Sequence, residues 1–218
     1  MAVIYTGSRG AYLALGAMSL GIVLIAYQII FKDLQNNKLQ KYFKTAVASG
    51  FGLITLLILS TPAILKRILS IFILRGDSST SFRMNVYKSS FAMFCDNPIF
   101  GIGLGNTTFR EVYGYYMQSG FDALSAYSIY LETAVETGLL GLAAFLSFLF
   151  LIVKPAVRYV ISNNDFTQKI FVSCCLLSIL GALVHGFFDT VFFRPQVQCI
   201  FWFTIALLNI KLEELKQQ

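Results

Sequence analysis

The sequence predicts an all-α fold: a polytopic bundle of transmembrane helices with about five spans and a long, partly helical external loop. Three observations predict it. Of 218 residues, 56% are apolar and only 13% are charged, against about 25% charged in soluble domains. Mean hydropathy is +0.69. Five stretches run free of charge long enough to matter, and the cations fall between them. So apolar a chain cannot hide its surface in one small soluble domain, where about a third of the area stays exposed. Four Pro and 16 aperiodic Gly exclude a collagen-like or disordered chain. The net charge of +6 is a topology signal rather than a nucleic-acid footprint, because the cations separate apolar runs. Membrane lipids are the expected surroundings, and no nucleic acid is an expected partner.

The five stretches are 10–31, 45–65, 137–153, 170–188 and 195–210, in one membrane domain over 1–218. A helix needs about 20 residues to cross a core of about 30 Å. The first two stretches suffice alone. The third suffices when its helix starts before Glu136, giving a span near 130–153. The fourth carries His185 near its end. The fifth begins at Pro195, a good first-turn residue.

Orientation follows from the cations of the short loops. Lys32, Lys38, Lys41 and Lys44 follow the first span; Lys154, Arg158 and Lys169 follow the third; Lys211 and Lys216 lie in the tail. That side is expected to be cytoplasmic. Only Arg9 and Arg194 lie on the opposite short segments, and the long segment 66–126 is a weak voter there. The chain therefore starts outside and ends inside. Its opening, MAVIYTGSRG, has no basic region ahead of a cleavage site. An outside start is explained if the chain is the C-terminal half of a larger protein.

The external segment 66–126 is not a plain loop. Met84, Tyr87, Phe91 and Phe94 recur at helical spacing opposite Arg83 and Lys88, which predicts an amphipathic helix in the membrane interface over 82–94. Asp96-Asn97-Pro98 ends it, since the residue before proline avoids the helical region. PIFGIGLGNTTF (98–109) places three glycines in five residues and predicts a tight structured turn. It resembles a dinucleotide fingerprint only superficially, with no βαβ pattern around it. Tyr113, Tyr115 and Tyr116 suit an interfacial aromatic belt. SAYSIYLETAVETGLLGL (125–142) reads as a helix entering the membrane, with Glu132 and Glu136 four apart on one face. That pair reads either as a polar stripe at the membrane edge or as carboxylates facing a cavity. Cys95, Cys174, Cys175 and Cys199 fit no zinc or redox spacing. The last three lie in apolar runs and read as small buried hydrophobes. No metal and no cofactor is expected.

Three pieces of the sequence resemble the O-antigen ligase and polymerase superfamily of bacterial membrane proteins. TGSRGAYLAL (6–15) resembles the start of a family helix. RMNVYKSSFAMFCDNPIFGIGLGN (83–106) resembles its arginine helix and following D-x-P-x-x-G-x-G turn. Tyr127 and Ser128, then nine residues, then Gly138 and Gly141 fit the spacing of the ligase motif, with tyrosine in the histidine position. The close, HGFFDTVFFRPQVQ (185–198), looks like the bicarbonate-transporter-like branch. The resemblance covers nearly the whole chain but only the C-terminal half of a full family member.

The resemblance implies joining of a polyprenyl-diphosphate-linked glycan to an acceptor at the outer face. It maps the diphosphate-holding arginines onto Arg9 and Arg83, and the acceptor-activating histidine onto Tyr127. Guanidinium forks suit phosphate oxygens and stay charged at low dielectric. A phenol is a poor proton acceptor at neutral pH. Either another group takes the proton, with Glu132 and Glu136 nearest in sequence, or this ligation is not performed.

Each candidate has a plainer reading. Arg9 could be a cation snorkelling at a helix end, Arg83 part of an interfacial polar face, and Tyr127 a belt tyrosine. His185 and Asp189, four apart, with Arg194 following, could close the 188–195 turn through a His–Asp hydrogen bond; otherwise Asp189 and Arg194 support an anion site. The expected function is a membrane glycosyltransferase or ligase of polysaccharide chemistry, in a bacterial inner membrane or a plastid membrane. The alternatives are transport of bicarbonate or another small anion, and an inactive half-protein whose partner is a missing N-terminal half.

Overall fold

A computed structural model describes residues 8–60, 78–162 and 165–217. It contains helices and no strand among the described residues, which is the expected all-α class. Helix α1 (Arg9–Gln28) is capped by Ser8, whose hydroxyl accepts from the Ala11 amide at 3.3 Å. It widens into a π-turn at Ile29–Asp33, where the Leu34 amide donates to the Ile29 carbonyl. Helix α2 (Asn37–Ser60) follows, then α3 (Ser78–Asp96) and α4 (Asn106–Tyr116). Helix α5 (Ile129–Ser162) and α6 (Phe166–His185), the latter capped by the Asp165 carboxylate, lead through a 3₁₀ turn at Val191–Phe193 to α7 (Pro195–Gln217).

Three described helices are long and apolar enough to cross a membrane: Gly10–Lys32, Ile129–Ser162 and Phe166–His185. Helix α2 opens on polar turns from Asn37 to Thr45, and the predicted continuation 61–65 lies outside the described residues. Helix α7 has Gln196 and Gln198 in its first turn and Asn209 and Lys211 near its end. The fourth predicted span, 170–188, ends early: the helix stops at His185 and turns through Gly186.

The bundle is built by α1 on α6 and by α6 on α5 and α7. Helices α1 and α6 meet through small residues, the apposition that lets apolar helices pack closely. A side chain on Gly21 would collide with Leu177, and one on Gly181 with Met18. At the opposite end from the loop segment, the Gln28 Nε2 donates to the carbonyls of Val160 and Ile161 at 3.0 and 3.1 Å, tying the ends of α1 and α5 together. Leu149, Val172, Ile179, Phe201 and Leu208 form the core of this bundle. Of the cysteines only Cys175 is buried; Cys174 and Cys199 lie on outward faces of α6 and α7, contrary to expectation.

A second core lies outside the bundle. Val86 and Met93 of α3, Phe109 and Tyr113 of α4, Ala123, Ala126 and Val135 pack together. This corrects one expectation, the place of Tyr113, and shows which face of α3 meets the protein. The buried face of α3 is Val86, Ser89, Ser90 and Met93, while Met84 and Phe91 are exposed. The helix packs against α4 and α5, and small serines on that face allow the close approach. Tyr113 is a core residue, 1% exposed, with its hydroxyl donating to the Phe121 carbonyl, and not a belt tyrosine. Tyr115, 89% exposed, is free to play that part.

The glycine-rich turn and α5 explain one another. Helix α5 is broken at Gly138, whose φ of +69° suits glycine. The break leaves backbone groups without helical partners. The turn supplies them: the Ile102 and Gly103 amides donate to the carbonyls of Val135 and Glu136, and the Leu139 amide donates to Pro98. Gly101 and Gly138 sit where the two backbones touch, so a Cβ at Gly101 would collide with the Glu136 carbonyl and one at Gly138 with that of Ile99. The predicted structured turn is thus a plug in a broken helix.

Candidate functional site

Where α3, the segment 121–128 and the end of α6 meet, several sequence-predicted residues converge. Arg83, on α3, is half-buried, and its guanidinium carbon lies 5.8 Å from the centre of the Tyr127 ring. Among the described residues it makes no ion pair. Tyr87, one turn further along α3, donates its hydroxyl to the Tyr127 carbonyl at 3.1 Å. Burial pushes the Tyr87 phenol up; the nearby Arg83 charge lowers it and the Asp189 charge raises it. The two residues of opposite charge therefore both act on one hydroxyl.

Tyr127 is held in the left-handed region, at φ +50°. A non-glycine residue there costs on the order of 1–2 kcal/mol. The cost is carried by the Tyr87 hydrogen bond and by an edge contact with Phe82, ring centres 5.8 Å apart. Such strain is characteristic of positions where orientation matters. Two residues later the Ile129 amide donates to the Gly186 carbonyl at 2.8 Å, which clamps the start of α5 to the end of α6. Ser125 donates to the Thr190 hydroxyl at 3.2 Å, and Asp189 Oδ1 accepts from the Thr190 amide at 2.9 Å.

The first turn of α1 reaches the same place. A Cβ on Gly10 would stand 3.1 Å from His185 Cδ2 and 3.2 Å from Phe188 Cβ. The backbone of Arg9 is therefore beside the His185–Phe188 turn, while its side chain lies outside the described features. His185 Nε2 is buried without a hydrogen-bond partner among the described residues. The expected His185–Asp189 hydrogen bond does not form, because the helix ends at His185 and Asp189 turns to the Thr190 amide instead.

The other candidates stand apart. Glu136 Oε1 accepts from the Gly105 amide at 3.2 Å, so this carboxylate faces the N-terminus of α4, where negative charge is favourable. Glu132 lies one turn earlier on α5 and is half-buried. Arg194 is exposed at the start of α7 and meets no acid among the described residues. Sequence reasoning missed Tyr87, Ser125 and Thr190. Tyr87 had a usable signal, its position four residues after Arg83 on the same helix face; the other two are brought in by tertiary contacts alone. No three His, Cys, Asp or Glu side chains gather to hold a metal among the described residues. The cluster offers a guanidinium, phenol and aliphatic hydroxyls, and one carboxylate.

The family model for O-antigen ligase matches residues 1–146. The chain belongs to the O-antigen ligase family. The match covers Arg9, Arg83, Tyr127, Glu132 and Glu136, and it ends inside α5. His185, Asp189 and Thr190 come from outside it, and the fold brings them to the same cluster. The match supports the superfamily and a ligase-like membrane protein, and does not reach the bicarbonate-transporter-like branch. No curated protein matches the chain.

Proposed function

We propose that this protein binds a polyprenyl-diphosphate-linked glycan at the external face of its membrane and serves its transfer, with Arg83 and Arg9 holding the diphosphate. The observation that carries this reading is Arg83. It is a half-buried guanidinium, ordered over an aromatic ring, with no carboxylate paired to it among the described residues. A fork of donors kept free in such a place suits phosphate oxygens, which accept bidentate charge-assisted hydrogen bonds. In the transfer, the bond between the sugar's anomeric carbon and the phosphate oxygen breaks, and the diphosphate leaves with the electron pair. A bond from that carbon to the acceptor oxygen forms, and the acceptor's hydroxyl proton passes to water. Stabilising the departing charge is the largest service a protein can render here. Tyr127 supplies the ring that orients Arg83.

The test is binding of undecaprenyl diphosphate to the purified full chain in detergent. Arg83→Ala is expected to weaken binding about tenfold or more, the range for a charge-assisted hydrogen-bonding group. Arg83→Lys should fall between, since it keeps the charge and loses the fork. Unchanged affinity in Arg83→Ala removes the reading. Displacement by bicarbonate at millimolar concentration would redirect it to small anions. Tyr127→His places an imidazole at the family's histidine position, and ligation gained by that variant in cells would identify the missing proton acceptor.

A further inference from the structure

The lysine-rich end of the bundle carries a feature that the diphosphate reading does not use. Between α5 and α7 lies an open groove of about 640 Å³, with Lys154, Arg158 and Lys216 at its mouth and Leu212 and Leu215 on its wall. A second groove, of about 590 Å³, shares Pro155, Leu212 and Lys216 with it and continues past Leu151 to Phe148 and Trp202. The two together form one channel, cationic at one end and, apart from Asn209 and the Lys216-paired Glu213, apolar along its length. From Arg158 back to Phe148 the helix rises about 15 Å, which is about half the thickness of a membrane core. That is the depth of one leaflet.

The cations are not equivalent. Lys216 is held by Glu213 at 2.6 Å. Lys154 Nζ lies 5.2 Å from the centre of the Phe150 ring, and neither it nor Arg158 has an acid partner among the described residues. They are four residues apart and share one face of α5. Tyr159 lines the same groove, and its hydroxyl is buried without a hydrogen-bond partner among the described residues. Among the described residues, the mouth thus holds two cations without an ion-pair partner and one hydroxyl without a hydrogen-bond partner.

We propose that this groove binds one anionic phospholipid, with its phosphate between Lys154 and Arg158 and an acyl chain along α5 and α7 towards Trp202. The charge selects an anionic headgroup over a neutral one. The apolar length selects a lipid over free phosphate. The site is independent of Arg83 and of any diphosphate donor.

The test is native mass spectrometry of the purified full chain in detergent, titrated separately with dioleoyl phosphatidylglycerol, dioleoyl phosphatidylcholine and inorganic phosphate. Phosphatidylglycerol should be retained about tenfold more than phosphatidylcholine. The double variant Lys154→Gln, Arg158→Gln should bring it down to the phosphatidylcholine level, and Lys154→Arg with Arg158→Lys should keep it. Ala206→Trp fills the apolar part without changing charge, and it should lower phosphatidylglycerol retention even if the double variant cannot be purified. Equal retention of the two lipids in the wild type overturns the proposal, as does undiminished retention in either the double variant or Ala206→Trp. Displacement of phosphatidylglycerol by millimolar phosphate overturns the lipid assignment in favour of a free-anion site.

Discussion

The two ends of this bundle both gather positive charge, and they do so under opposite physical conditions. At the loop end, Arg83 is half-buried on the Tyr127 ring, inside backbone clamps that tie α3, α5 and α6 together. At the lysine-rich end, Lys154 and Arg158 are exposed beside an open groove. Most side-chain ordering at the first end happens on folding. At the second it is left for a ligand or water to complete. A preordered cation gives geometric specificity, and a solvated one gives general attraction to negative surfaces. The difference is one of backbone restraint, and it can be broken from the loop side alone.

The largest effect is expected from Gly138→Ala. The added methyl meets the Ile99 carbonyl, and φ of +69° is unfavourable for any side chain. A cost of about 3 kcal/mol is expected, in the range of backbone-incompatible substitutions. It should fall on the loop segment, detected as faster limited proteolysis between residues 98 and 127, while the α1–α6 bundle keeps its helical circular dichroism. Equal loosening of both parts would mean that the plug and the bundle are one cooperative unit.

Next in size is the pair Tyr127→Ala and Tyr127→Phe. The ring, rather than the hydroxyl, faces Arg83. A cation–π contact is worth about 0.5–2 kcal/mol. Tyr127→Ala should therefore weaken undecaprenyl diphosphate binding several-fold, and Tyr127→Phe should leave it within about twofold. Loss in the phenylalanine variant would transfer the role to the hydroxyl and end the view of this ring as a platform.

The contrast also shows how far the sequence could be read. The all-α class, the end of α3 at Asp96 and the structured glycine turn follow from composition and local signals. The break at Gly138 does not: the two glycines of ETGLLGL weaken a helix without saying where it breaks, and the interruption depends on backbone groups of residues 98–103, far away in the chain. The face that α3 turns to the protein is not legible for a related reason. Periodicity counts large apolar residues, yet the contact face uses Ser89 and Ser90. At the candidate site, Arg83 and Tyr127 were legible from motif spacing. That the Asp189 charge also acts on Tyr87 depends on the α5–α6 clamp at Ile129 and Gly186, which no short-range pattern encodes.

A smaller effect separates the ends by pH. Burial raises the phenols of Tyr87 and Tyr113, both hydrogen-bond donors in the loop segment. A group whose folded pKa is raised contributes stability that is full below its unfolded value, about 10 for tyrosine. That contribution is lost as pH rises through the folded value. The loop segment should therefore loosen above about pH 10, and Tyr87→Phe should flatten the trend. At neutral pH the same substitution should cost about 1 kcal/mol, the worth of one hydrogen bond. A flat alkaline profile in the wild type would show that these hydroxyls are not sequestered.

The smallest effect belongs to the lysine-rich end, and it is the sharpest check on the contrast. Lys211 meets Glu214 at 2.9 Å across one helical turn, in an exposed pair. Such pairs contribute about 0.3–0.5 kcal/mol and are screened by salt. Glu214→Ala should shift thermal stability by less than about 0.5 kcal/mol, and the shift should vanish in 0.5 M salt, where the screening length is on the order of 4 Å. Loop-end substitutions such as Tyr87→Phe should keep their full effect at that ionic strength, because a buried hydrogen bond between a phenol and a carbonyl has no exposed charge to screen. A salt-insensitive cost at Glu214 would mean that the lysine-rich end is ordered in the same way as the loop end.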